Sequence, residues 1–174
     1  MINLWCTGSS VDQMSKSNID SAFKEGINIA INYALIDKMP DFRVFLDEKV
    51  ADYFNGKLGK SIPVTSSYAA NVHPYLKDVA IIPDRDSARA RGYTMLYAVD
   101  FILERFPDEV VNVYGCDFAE DKSSLEPEGR YFKEGQANQF VDVPYGLGML
   151  ANRHDFSKWN NMSPISTITT FTRI

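Results

Sequence analysis

The chain has only two cysteines and two histidines among its 174 residues. That scarcity removes structural zinc from consideration, because no Cys/His cluster has the spacing of a tetrahedral site. Cys6 and Cys116 both lie in apolar, strand-like runs. They are expected as buried free thiols, which fits a cytoplasmic location. No apolar run is long enough to cross a membrane as a helix, so no transmembrane segment is expected. No basic stretch followed by an apolar one opens the chain, so no signal peptide is expected. Positive charge is also in short supply. Eighteen Lys and Arg face 23 Asp and Glu, a net charge of −5, so stable nucleic-acid binding is not expected. There is no internal repeat, low-complexity tract or linker. One domain spanning 1–174 follows from that length.

What is present suits an ordinary folded core: 45% hydrophobic and 24% charged residues, with aromatics at 13%. Short β-branched runs alternate with helix-like segments. Strands are expected at 2–6, 27–31, 42–46, 62–65, 79–82 and 110–114, with a last one in 165–171. Helical segments are expected within 11–24 and at 33–38, 48–54 and 146–156. The clearest is 93–106, where Met95, Leu96, Val99, Ile102, Leu103 and Phe106 recur at three- and four-residue spacing. Periodicity is lost over 119–145, which reads as a long loop or lid with Gly129 and Gly135 as candidate hinges. The fold class is therefore α/β: a single Rossmann-like domain with a mainly parallel, twisted sheet and helices on both faces.

Small or polar residues end four of these strands: Gly8 with Ser9 and Ser10, then Asn32, Asp47, and Gly115 with Asp117. In a parallel sheet these ends share one edge, where open α/β folds bind ligands. A strand running into Gly8-Ser9-Ser10 before a helical segment offers backbone N–H groups and hydroxyls to a phosphate. Each residue also has a plainer role. Asn32 and Asp47 read equally as helix caps, and Asp117 as a stabiliser of the turn after Gly115. Convergence of all four favours a cleft.

The order strand–G-x-S–helix, strand–N, strand–D, then Gly92-Tyr93-Thr94-Met95-Leu96-Tyr97-Ala98 and Gly115-Cys116-Asp117-Phe118, resembles the bacterial sialyltransferases of cell-surface lipooligosaccharide. It also resembles the glycosyltransferase-like proteins of flagellin modification. The resemblance covers roughly residues 2–154. It implies a nucleotide-sugar, possibly CMP-linked, as substrate, with no separate cofactor and a hydroxyl acceptor. It implies that Gly8, Ser9, Ser10, Asn32 and Gly92 line the nucleotide, that Tyr131 in the lid meets the phosphate, and that His154 is the general base.

Sugar transfer also needs the phosphate charge stabilised, the acceptor deprotonated and water excluded. Arg85, Arg89 and Arg91 precede the 93–106 helix, and Arg91 beside Gly92 is best placed to pair with phosphate, unless the loop is simply solvated. His154 is followed by Asp155, a carboxylate able to orient it. Asp117 and Asp47 are alternative bases or metal ligands. No obligatory divalent metal is expected. Two other readings compete: a nucleotide-binding protein without catalysis, and a metal-dependent nucleotide phosphohydrolase or pyrophosphokinase-like enzyme using Asp47 and Asp117. A homo-oligomer is compatible with all three.

Overall fold

The computed structural model describes residues 1–83, 93–117, 139–166 and 168–174. Seven strands form one all-parallel sheet: β1 (Ile2–Trp5), β2 (Ile27–Ile31), β3 (Phe42–Val44), β4 (Ile62–Val64), β5 (Val111–Tyr114), β6 (Trp159–Asn161) and β7 (Thr172–Arg173). Their order is β4-β3-β2-β1-β5-β6-β7. The chain steps outward from β1 to β4, then crosses back to lay β5 on the other side of β1. That reversal between β1 and β5 is the switch point of a doubly wound sheet.

Five helices pack on the two faces: α1 (Lys16–Lys24), α2 (Glu48–Phe54), α3 (Ser67–Val72), α4 (Thr94–Arg105) and α5 (Gln139–Ala151). Alternation along the strands decides which residue meets which helix. Ile2, Leu4 and Cys6 of the β1 run, with Val111 and Val113, pack with the α4 residues Leu96, Val99 and Ile102 and with Leu147 and Leu150 of α5. Trp5, Ala30 and Tyr114 face the other way, onto Ile19, Ala22 and Phe23 of α1. Phe45 joins Val50, Ala51 and Phe54 of α2 on that same side. Helix α1 begins where Ser15 accepts the Asn18 N–H at 3.2 Å, a normal N-cap.

A row of asparagines crosses the sheet on the α1 side. Register pairs Asn3 with Asn28 and with Asn112, and Asn112 with Asn160. Asn3 and Asn28 are buried. Their Nδ2 groups donate to the Ala22 and Phe23 carbonyls at 2.6 and 2.7 Å, fastening the end of α1 to the strands. Trp5 Nε1 donates to Asn28 Oδ1 at 3.0 Å, and Asn160 Nδ2 to Asn112 Oδ1 at 2.9 Å.

Several expected elements differ. The segment 33–38 is a series of turns, not a helix, because Asn32 and Leu35 take positive φ of 47° and 45°. The run 79–82 supplies a single parallel bridge, Ile81 to Val64, and 67–72 before it is helical. Helix α5 starts at Gln139, so the last part of the expected 119–145 lid is helical; 118–138 lie outside the described residues. The final strand sits at Thr172–Arg173, beyond the expected 165–171, and β6 forms where the sequence predicts no strand.

Tyr75 closes the α2 side: its hydroxyl donates to the Ala51 carbonyl at 2.6 Å, and burial pushes its pKa up to about 12. The folded chain therefore holds a proton that the unfolded chain releases above pH 10. Stability from this group is fully present below pH 10 and is lost as pH rises to about 12. Alkaline melting curves should show that loss, and Tyr75→Phe should remove this part of it.

Candidate functional site

Parallel pairing puts the residues after β3, β2, β1 and β5 on one edge, the carboxyl edge. Asp47, Asn32, Gly8 and Gly115 follow one another along it in that order. Helices α4 and α5 begin at the same edge, since each runs back to the start of the strand that follows it. Two contacts agree: Cys6 Sγ lies 3.6 Å from Met95 Sδ, and Tyr97 Oη donates to the Thr65 carbonyl at 2.8 Å. Tyr93 Oη donates to Asp142 at 2.8 Å, joining the first turns of α4 and α5 there.

The centre of this edge is the β1–β5 junction. The Gly8 N–H donates to the Gly115 carbonyl at 2.8 Å, and the Cys6 N–H to the Tyr114 carbonyl at 2.8 Å. Asp117 is buried against this turn. Its carboxylate accepts the Ser10 N–H at 2.7 Å and the Ser10 hydroxyl. Gly8 must be glycine here: an added Cβ would stand 2.5 Å from Asp117 Cγ and closer still to the Gly115 carbonyl. Gly115, at φ 66°, has the Cys6 carbonyl oxygen 2.6 Å from where its Cβ would be. The turn expected to cradle a phosphate thus has the Ser10 N–H and hydroxyl occupied by an internal carboxylate. Cys6 and Cys116 are free and buried beneath it, and a hydrogen bond to Cys116, together with burial, pushes the Cys6 thiol up.

The remaining candidates divide. Among the described residues, Asn32 Oδ1 is buried and has no hydrogen-bond partner. Asp47 is exposed and caps α2, accepting the Lys49 N–H at 2.8 Å. Asp47 and Asp117 stand three strand spacings apart along the edge, on the order of 14 Å, too far to share one metal ion. No cluster of three His, Cys, Asp or Glu able to hold a metal occurs among the described residues. The sequence does contain one Asp-x-Asp triplet, Asp84-Arg85-Asp86, the acidic pair of many metal-using sugar transferases, so a metal-free reaction is not carried by the sequence. That triplet, with Arg89, Arg91, Gly92 and Tyr131, lies outside the described residues.

His154 is not brought to this edge. It lies between the end of α5 and the start of β6, five residues before Trp159, which pairs with the first residue of β5. That is the amino edge of the sheet. A four-residue strand spans about 13 Å, so the length of the sheet separates His154 from Gly8. Its expected role as general base at the Gly8 turn is corrected on that ground: a base must reach its proton directly or through one water. His73, which caps α3, stands 3.6 Å from Asp52.

Arg43 carries no functional mark in the sequence. A lone Arg between Phe42 and Val44 reads as an edge-strand charge, yet it is buried inside β3. The only available signal was its place in an otherwise apolar run next to the Asn32 turn.

No protein-family model, curated protein or solved structure matches the chain. Among the described residues, no helix is long and apolar enough to cross a membrane.

Proposed function

We propose that the chain binds a nucleotide or nucleotide-sugar along the carboxyl edge of its sheet and transfers the sugar to a hydroxyl acceptor. The observation that carries the binding half is that Gly8 and Gly115 meet at the β1–β5 switch point of an all-parallel sheet, with Asn32 one strand away on the same edge. The transfer half is supported by the resemblance to sialyltransferases alone. In this reading Asn32 meets the nucleoside or sugar, the first turns of α4 and α5 wall the cleft, and the base is a carboxylate of this edge, Asp117 or Asp47.

A second reading is favoured by the Asp117–Ser10 contact. With a carboxylate already on the Gly8 turn, the chain binds a nucleoside without turning it over. A thermal-shift screen of nucleosides, nucleoside mono- and diphosphates and nucleotide-sugars tests both. A ligand at 100 times its Kd adds about 2.7 kcal/mol, a rise of roughly 5–11 °C for a chain of this size. At least one compound should give that rise. Release of free nucleotide from a nucleotide-sugar then identifies the transferase, and binding without release the second reading. A flat screen overturns both.

A further inference from the structure

We propose that Arg43 is the positioning residue of the carboxyl edge, its guanidinium holding the 32–38 turn in the conformation that presents the Asn32 amide. The inference rests on the reading that a nucleotide or nucleotide-sugar binds at this edge.

Arg43 is 2% exposed, and no carboxylate among the described residues pairs with it. Its partners are carbonyl oxygens. Nη1 donates to Asn32 at 2.8 Å and to Ala34 at 2.9 Å; Nη2 donates to Leu35 at 3.3 Å and Lys38 at 3.5 Å. Its Cζ lies 4.4 Å from the centre of the Phe54 ring. Burial lowers its pKa to about 10, which still leaves it a cation at neutral pH. A cation buried without a counter-charge is a costly way to fill space. Apolar residues of similar volume usually serve stability as well or better. What the guanidinium adds is geometry, a planar fork able to hold several carbonyls at once.

Those carbonyls are telling. Among the described residues, Asn32 and Leu35 are the two non-glycine residues at positive φ. Both give their carbonyl oxygens to Arg43. Unfavourable backbone persists only where its surroundings over-determine it, and such strain gathers at ligand-binding positions. At the end of β2, the strained Asn32 also carries a buried Oδ1 with no partner among the described residues. An amide oxygen accepts; it takes an O–H or N–H and repels a phosphate oxygen. A donor that reached Asn32 Oδ1, such as a sugar hydroxyl or a base amine, would satisfy it, and a phosphate oxygen would not.

The test uses the full chain with cytidine and CMP as probes. Wild type, Arg43→Lys, Asn32→Ala and the double variant are compared by calorimetry. Amide exchange over 33–38 and the Asn32 side-chain NH2 resonances are followed without ligand. Lysine has no fork, so Arg43→Lys should raise exchange over 33–38 about 10-fold and move the Asn32 NH2 signals. It should weaken both probes about 10-fold, Asn32→Ala should do the same, and the double variant should be no worse than either single change. Losses that multiply in the double variant overturn the positioning role, since a general weakening of the fold acts on either background. Unchanged exchange and unchanged Asn32 signals in Arg43→Lys overturn the clamp itself. Failure of wild type to bind either probe overturns the nucleotide reading for these ligands, while exchange and the Asn32 signals still decide the clamp. If Arg43→Lys does not fold, Arg43→Gln, which keeps a single amide donor group in place of the fork, takes its place, and the same rise in exchange over 33–38 is required of it.

Discussion

Gly8→Val is expected to cost about 4 kcal/mol or more, enough to lower the melting temperature by roughly 8–16 °C or leave the chain unfolded. The effect should be independent of any ligand. The first atom of the new side chain would meet Asp117 Cγ at 2.5 Å and the Gly115 carbonyl closer still. Neither can retreat: the carbonyl is backbone that accepts the Gly8 N–H, and the carboxylate is held by Ser10. Moving Asp117 aside would strand the Ser10 N–H and hydroxyl in the core. Even Gly8→Ala introduces the offending Cβ, so it should show most of the loss. Gly148→Ala is the matched control. That glycine lies in α5 with nothing within 4 Å of an added Cβ, so alanine there should add about 0.5–1 kcal/mol. Urea denaturation of the three variants checks the ordering. A Gly8→Val chain as stable as wild type would mean that the β1–β5 junction is looser than described.

The second large effect is expected at Asp117. Asp117→Ala leaves two buried donors of Ser10 without an acceptor and removes packing from the junction, at a cost of about 3 kcal/mol. Asp117→Asn keeps one acceptor oxygen for the Ser10 N–H and should cost about half as much. The pair also separates structure from chemistry. If Asp117 is the base of a transfer reaction, Asp117→Asn should lose about 10²–10⁴-fold in turnover while remaining folded. Turnover that follows folded fraction alone makes the residue a structural anion. The measurement is a melting curve beside a nucleotide-release assay on the same samples.

The sheet was legible because buried parallel strands announce themselves. The runs at 2–6, 27–31 and 110–114 are apolar on the side that meets α4, and a helix-period segment separates each from the next. Asp47 read equally well as a cap or a ligand, and it caps α2. The failures have separate physical causes. The 33–38 run has helical composition, but a side chain from elsewhere outweighs local propensity: Arg43, between 8 and 11 residues further along the chain, takes the carbonyls that a helix would need. The 79–82 run is β-branched, yet its backbone is committed to turns on Leu76, so only Ile81 reaches the sheet. The short β6 has two asparagines in three residues and no strand signature. Its identity comes from the register with β5. The expectation for His154 rests on the resemblance and on the neighbouring Asp155, and neither of these tells one end of a strand from the other.

The asparagine row has a consequence for how the chain reaches this fold. Side chains alternate, so sliding β1 by one residue against β5 would send Asn3 into the leucine- and valine-lined side under α4 and bring Ile2 or Leu4 to the end of α1. An amide stranded among hydrocarbons costs about 1–3 kcal/mol, and the penalty would recur at each asparagine strand that joined the shifted frame. Parallel strands form late and from distant parts of the chain, when many near-alternative alignments compete. Four amides at matching heights make the correct alignment the one in which each amide makes at least one hydrogen bond, to backbone, to a side chain or to another amide of the row. The row therefore acts as a vernier for assembly, and replacing Asn3 and Asn28 by valine would be expected to leave the strands apolar enough to pair but less able to choose where.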